Sequence, residues 1–447
     1  MASCGAGVVP EAAASAKRKL EQDGSSTPPG SAAALEKVPR LAEDEGAEKK
    51  AVERAPRKLK FAMLLSYCGA RYLGMQIQQV EGQLTVETEL LGAMKALELI
   101  EHTKKPQLYC YQRAARTDKG VSAVRQMCSV QLRIGVDRAA GVAEELNRLL
   151  PDDIRVWELR RATKGFDAKK AADFRTYSYT LPTYAFANET RAEKTDETFR
   201  LTEEKRTELN ELLNKFLGTK NYFNFTSGRA WGDPSCKRYI VSCECSEPFL
   251  MDELEMATIT IKGASFILHQ IRKIVGLCIA IARGYATEEL LTKAFRSRRI
   301  DVPRAPGLGL VLEQVHYNHY NTKFKDTHPS LVDWSQFEEA IEAFKRQKIL
   351  KVIYEGEKVG NSMLRWLTTL DKHSFDEEAT GKTTAADAAD NNAVTAAQAA
   401  DGARAETTAS TSTSAPSSGE GANSCADADD STAVEPSTNS VEECLQR

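Results

Sequence analysis

The chain reads as an α+β protein: two related halves on a mixed, largely antiparallel sheet, with helices packed on it and a basic cleft between the halves. Three observations lead there. Segments of period two alternate with segments of period 3.6 in two passes over residues 57–372, both ends lack either period, and charge is unevenly spread along the chain.

In the first half, residues 57–165, Leu59 to Tyr67 is the opening strand. Val86, Leu90, Met94 and Leu97 then recur on one helical face, with Glu87 and Glu89 in the first turn, where the helix dipole favours acids. A β-prone segment, Leu108 to Tyr111, leads to a turn, beyond which Val130, Leu132 and Ile134 face one way and Gln131 and Arg133 the other. Val142, Leu146 and Leu149 mark a helix that Pro151-Asp152-Asp153 stops, and Ile154 to Leu159 is a strand.

The second half, residues 166–325, repeats this rhythm loosely. Phe174 to Leu181 is a strand, Leu209, Leu212, Leu213 and Phe216 form a helix face, and Tyr239 to Cys245 and Leu254 to Lys262 are strands. A long helix is expected from Phe266 to Gly284 with Ser265 as N-cap. Residues 326–372 are expected to form a helical extension with Trp334, Phe337 and Phe344 on one helix. Residues 1–56 and 373–447 have too few large apolar side chains to offset the entropy of ordering, and are expected to be disordered tails.

The overall charge of −3 conceals this division. Residues 371–447 hold 15 acidic and 4 basic side chains and residues 1–50 hold 8 and 7, which leaves residues 51–370 about nine positive charges in excess. A basic core suits a polyanion partner. Ten cysteines without a C-x-x-C pair or a secretory signal read as reduced thiols. Cys243 and Cys245 would share a strand face, and His316 and His319 are three apart, but neither pair makes a zinc site by itself, so no metal is expected. His269, Gln270, Arg272 and Lys273 interrupt the longest apolar run, which argues against a membrane span.

Chemistry concentrates in Arg116-Thr117-Asp118-Lys119-Gly120-Val121-Ser122-Ala123, a loop between two strands with a carboxylate between two cations. A nearby cation keeps a carboxylate charged where isolation in a dry cleft would protonate it, and Arg116 is the expected partner of Asp118. Read alone, Asp118-Lys119-Gly120 is equally a plain turn. Tyr177 and Tyr179 share one face of their strand, as stacking residues or as ordinary core. His269, Arg272 and Lys273, at i, i+3 and i+4, would project from one face of an apolar helix toward a phosphate, a carboxylate or water. Gly69 and Gly74 invite comparison with a phosphate loop, but Met75-Gln76 follows where a Walker motif needs Lys and Ser or Thr.

The Arg116–Ala123 run resembles the catalytic R-T-D-x-G-V-x-A motif of the TruA family of tRNA pseudouridine synthases. Tyr67-Cys68-Gly69-Ala70-Arg71-Tyr72-Leu73-Gly74-Met75-Gln76 is similar to that family's opening segment, with Cys68 and Met75 in place of its usual Asp and Trp. Arg175 to Tyr179 resembles its R-x-Y-x-Y strand, and Ser265 to Gly276 its S-F-L-x-H-Q-I-R-K-M-V-G block; Asn221 to Thr226 and Ala305 to Leu310 match further blocks. The resemblance spans residues 60–315.

It implies an isomerase that flips a uridine out of RNA, breaks its glycosidic bond and rejoins base to sugar through carbon, without cofactor. It further implies Asp118 as catalytic carboxylate, acting as nucleophile or as base in a glycal route, with Arg116 and Arg272 keeping it ionised and Tyr177 packed on the target base. Contacts to RNA are assigned to Lys119, Arg71, Arg175, His269, Lys273, Lys237 and Arg238.

The insertion Thr183 to Arg200, the extension and the acidic tail look like the multi-site eukaryotic branch, whose targets include anticodon-stem uridines around positions 27 and 28. Expected partners are tRNA first, then mRNA or other RNA, with no membrane. Lys17-Arg18-Lys19 and Arg54 to Lys60 suggest the nucleus, with mitochondrion and cytoplasm as alternatives. The competing reading is a non-catalytic RNA-binding or chaperone protein that keeps the fold. Deleting residues after 374 is expected to leave RNA modification intact while removing any tail-borne protein interaction; loss of modification in the truncated protein would place the tail in the catalytic unit.

Overall fold

The computed structural model describes residues 57–78, 82–101, 106–188 and 199–375. The predicted tails therefore lie outside the described residues apart from 373–375, as does the middle of the predicted insertion, residues 189–198. In chain order the first half supplies β1 (Leu59–Tyr67), α1 (Val86–Ala96), β2 (Gln112–Arg113), β3 (Ser122–Leu132), α2 (Val136–Leu149) and β4 (Ile154–Ala162). The second supplies β5 (Phe174–Pro182), α3 (Glu203–Asn214), β6 (Gly218–Asn221), β7 (Lys237–Cys245), β8 (Phe249–Met251), β9 (Leu254–Gly263), α4 (Gln270–Ala282), α5 (Glu288–Ala294) and β10 (Leu310–His316). The second half ends on α6 (Asn318–Phe324), and the extension holds α7 (Glu338–Phe344), α8 (Lys351–Lys358) and α9 (Ser362–Leu367).

The fold is α+β. One ten-stranded sheet runs in the order β4-β1-β3-β10-β5-β9-β7-β6, with β2 added to β3 and β8 to β9. All of its pairings are antiparallel except β3 with β10, where Ser122 opposes Val311 and Ala123 opposes Leu312. That parallel pair links a strand of residues 57–165 to one of residues 166–325. It is short because β2 pairs further along β3, opposite Cys128 and Ser129. Both β1 and β3 are nearly continuous in buried residues, as strands in the middle of a covered sheet must be.

Two sequence expectations need correction. Leu108 to Tyr111 is not a strand: Pro106–Tyr109 is a 3-10 turn, and Cys110 has a positive φ of 48°, which ends extended pairing before β2 begins. The long helix begins at Gln270, not at Phe266, and Ser265 does not cap it. His269 has φ 66°, a left-handed conformation that separates residues 265–268 from the helical path, and Phe266 instead packs edge-on against Tyr177 with ring centroids 5.3 Å apart.

The extension meets the sheet through several side chains. Trp157 of β4 contacts the rings of Phe337 and Phe344, each at 6.2 Å. Arg125 of β3 pairs with Glu338 at 2.7 Å, and Lys345 with Glu313 of β10 at 2.9 Å. The three aromatic residues expected on one helix fall in different local structures: Trp334 ends a loop, Phe337 a 3-10 turn and Phe344 helix α7. All three nevertheless meet β4: Phe337 and Phe344 pack on Trp157, and the Arg160 guanidinium lies over the Trp334 ring at 3.7 Å and donates to the Ser330 and Asp333 carbonyls at 2.6 Å each.

Cys243 and Cys245 are buried, as is Cys278 of α4, and burial pushes all three thiols up. Among the described residues no group of His, Cys, Asp and Glu could hold a metal ion, and no helix is long and apolar enough to cross a membrane. Trp334 is 5% exposed and its indole N–H donates to Leu331 O at 3.0 Å, so Trp334→Ala should cost about 3–5 kcal/mol by leaving a cavity under Arg160. Denaturant unfolding checks this; a change below about 1 kcal/mol would show that the extension does not depend on it.

Candidate active site

The Asp118 turn is built by the backbone. The Val121 amide donates to Asp118 O at 3.1 Å, closing a four-residue turn in which Gly120, third in line, has φ 77°. A positive φ there is the type II arrangement, which favours glycine. A second segment holds the turn from behind: Gly120 N donates to Tyr72 O at 3.1 Å and Met75 N to Thr117 O at 3.1 Å. Gly74, at φ 114°, lies so close that a Cβ would sit 2.9 Å from the Thr117 oxygen. The glycine in the opening segment thus serves backbone approach, not a phosphate.

Side chains complete the support. Tyr67 Oη and Thr117 Oγ1 are 2.7 Å apart, and the Gln126 amide bonds both ways to the Ala115 main chain, accepting at 3.2 Å and donating at 2.9 Å. Tyr67, Thr117 and Gln126 are all buried, so each bond is made in a place where an unmade one would cost about 1–3 kcal/mol. On the other flank buried Glu87 takes the Ile77 amide at 3.0 Å and the Arg113 guanidinium.

Burial pushes the Asp118 carboxyl above the usual range, and the charges of Arg272 and then Arg304 pull it back only in part. This reverses the expected direction and changes one expected partner. Arg116 is exposed, and its charge acts on Glu87. Arg304 was not visible as a site residue, because nothing in its local sequence marks it; only the fold brings residues 303–305 onto α4.

Arg272 is 6% exposed. Its Nε donates to Ala305 O at 2.7 Å, while its own carbonyl accepts from Ala305 N at 3.1 Å. A Cβ on Gly307 would lie 3.7 Å from both the Arg272 guanidinium carbon and the Lys119 carbonyl oxygen, so guanidinium and turn flank one point.

Tyr177 reaches the same region through the sheet register. Ala123 opposes Leu312, which opposes Tyr177, so the tyrosine stands two strands from the beginning of β3, about 10 Å at ordinary strand spacing. Its phenol is pushed up to about 12 by burial, with Arg175 lowering it and Asp118 raising it further. Asp118, Tyr177 and Arg272 therefore converge.

The seven residues assigned to RNA contact are placed unevenly. Arg175, assigned to RNA contact, donates its guanidinium to the carbonyls of Ala172, Ala264, Ala114 and Lys169 at 2.9–3.3 Å and so clips these main-chain segments together. Arg71 pairs with Asp153 at 2.6 Å but remains largely exposed. Lys119 lies in the turn itself, and Lys273 Nζ donates to Asn224 O at 3.4 Å. His269 is not on the helix face with Arg272 and Lys273 but at its N-cap, with Arg304 Nη1 3.2 Å from its Nε2. Lys237 is exposed at the start of β7, whereas burial lowers Arg238.

Comparison with known proteins places this geometry. A family model described as tRNA pseudouridine synthase matches residues 212–318. The chain is 43% identical over 336 residues to the pseudouridylate synthase 1 homolog of Mus musculus, covering 74% of this chain and 78% of the relative. It is 43% identical over 317 residues to the homolog of Homo sapiens, covering 70% and 73%. It is 30% identical over 397 residues to tRNA pseudouridine synthase 1 of Kluyveromyces lactis, covering 71% of each.

Replacing Gly74 tests the support of the turn. Gly74→Ala forces a Cβ toward a main-chain oxygen at a φ that L-residues avoid, so it should cost at least about 1–2 kcal/mol of stability and lower activity by displacing Asp118. Thermal unfolding and single-turnover assays on one preparation check both; wild-type values in both would remove the close approach from the argument.

Proposed function

The chain belongs to the tRNA pseudouridine synthase family of enzymes, and from that premise we propose that it isomerises specific uridines in tRNA, those around anticodon-stem positions 27 and 28 among them, to pseudouridine. The observation that carries this reading is a largely buried carboxylate, Asp118, on a braced turn, within electrostatic reach of the buried Arg272 guanidinium and of Tyr177.

In the proposed reaction the target nucleotide leaves its helix and its uracil enters beside Tyr177. Asp118 then acts as a nucleophile or as a base at the sugar while the bond from C1′ to N1 breaks. The freed uracil turns so that C5 faces C1′, a carbon–carbon bond forms, and the proton on C5 leaves while N1 gains one. Nothing is added or lost overall, so the chemistry calls for no cofactor. Arg272 balances the negative charge of Asp118 before attack.

RNA would lie in a basic cleft between the halves 57–165 and 166–325, with phosphates met by Lys119, Arg71, His269, Lys273, Lys237 and Arg238. Messenger and other RNAs are further substrates of the same kind. The basic runs near the N-terminus support a nuclear location.

Purified wild-type and Asp118→Ala protein incubated with unmodified tRNA transcripts, followed by pseudouridine mapping, tests activity and position together. The variant should lose at least about 10³-fold in rate while still binding tRNA. An active variant would refute the assignment of Asp118. Because burial raises the carboxyl above its ordinary value of about 3.9, wild-type kcat/KM should fall on the acid side with a midpoint above that value, and no basic limb should come from Tyr177 below its raised range.

A further inference from the structure

We infer that Arg304, held in place by His269 on the segment that meets both Arg272 and the Asp118 turn, is a second positioning cation for Asp118. The inference rests on the proposed catalytic role of Asp118.

Two cations act on Asp118. Burial leaves it above the normal carboxylate range, and the charge of Arg304 opposes that in the same direction as that of Arg272. Arg272 is anchored by its bond to Ala305 O and so cannot travel with the turn. Arg304 immediately precedes Ala305, whose amide is bonded to Arg272 O, so the main chain fixes the base of the Arg304 side chain against α4.

The far end is fixed by His269. Arg304 Nη1 lies 3.2 Å from Nε2 and 3.4 Å from Nδ1 of the imidazole, so whichever nitrogen carries no proton in the neutral ring can accept. His269 has φ 66° and its carbonyl accepts the Lys273 amide at 3.0 Å, so the residue that starts the helix also contacts the arginine. A non-glycine residue in this region is strained and persists where the surroundings over-determine it. The charged and titratable groups facing Asp118 are then Arg272 from α4, Arg304 from the 303–309 segment and Tyr177 from β5, with Lys119 beside it in the turn.

The sign follows directly. Each cation favours the ionised carboxyl, so removing Arg304 raises the pH at which Asp118 loses its proton. In full-length protein with tRNA transcripts, Arg304→Gln should move the acid limb of kcat/KM upward by about one pH unit, the lower end of what a neighbouring opposite charge does. Arg304→Lys should restore the limb, since the charge returns. His269→Gly, which keeps the left-handed backbone without strain and removes only the ring, should move the limb the same way by less. A rate lowered equally at every pH, or an unmoved limb, in Arg304→Gln would overturn the inference.

Should Arg304→Gln fail to fold, the position of the acid limb in His269→Gly against wild type decides, since a lost RNA contact lowers the rate without moving the limb; an unmoved limb would overturn the inference. An unmoved limb together with an inactive Asp118→Ala sinks this inference alone, whereas an active Asp118→Ala sinks the catalytic reading. In that second case the Asp118 carboxyl signal in ¹³C-aspartate-labelled protein, assigned with Asp118→Asn, still shows whether Arg304 shifts its titration, and no shift would refute the inference.

Discussion

A carboxylate largely withdrawn from water is the constraint around which this site is arranged. Desolvation alone drives Asp118 toward its neutral form, and only fixed positive charge opposes that. Fixing the charge requires rigid neighbours. The chain provides them by tying Arg272 to Ala305 through both side chain and main chain, and by locking the turn between Tyr72, Met75 and Thr117. A loose loop of the same composition would let the carboxylate swing out to solvent, where the guanidinium would act on it weakly.

The sheet turns these local devices into one site. The turn enters β3, Tyr177 lies on β5, and β10 stands between them, contributing through the segment before it the loop that meets Arg272. The parallel contact of β3 with β10 is thus the element that sets the distance between carboxylate and phenol. The extension adds to this arrangement from the same central strands, since Arg125 on β3 and Glu313 on β10 each hold one of its charged side chains.

Much of this was readable in the chain before folding. Strand and helix periods located β1, α1, α2, β4, β5, α3, β7 and β9 within a few residues, because each has one clear apolar face. The Asp118 turn was legible from its glycine, whose φ the turn type demands. What was not legible came from long-range packing. Arg116 is two residues from Asp118 yet points its charge elsewhere, while Arg304, far along the chain, acts on it. Arg175 reads as an RNA contact, and only the folded chain reveals four carbonyls around it. The apolar run before Gln270 reads as helix, but Phe266 is drawn to Tyr177 and His269 breaks the path.

The pairing of Ser122 with Val311 also has a bearing on biosynthesis. A ribosome releases β3 long before β10 exists, so the edge beside the future active centre stays open while the intervening residues emerge. Contacts between such distant segments form late and slowly, because closing the connecting loop costs entropy before any pairing compensates. Until then β2, which is synthesised before β3 and pairs along the same edge, gives the nascent strand a partial guard against joining a strand of another chain.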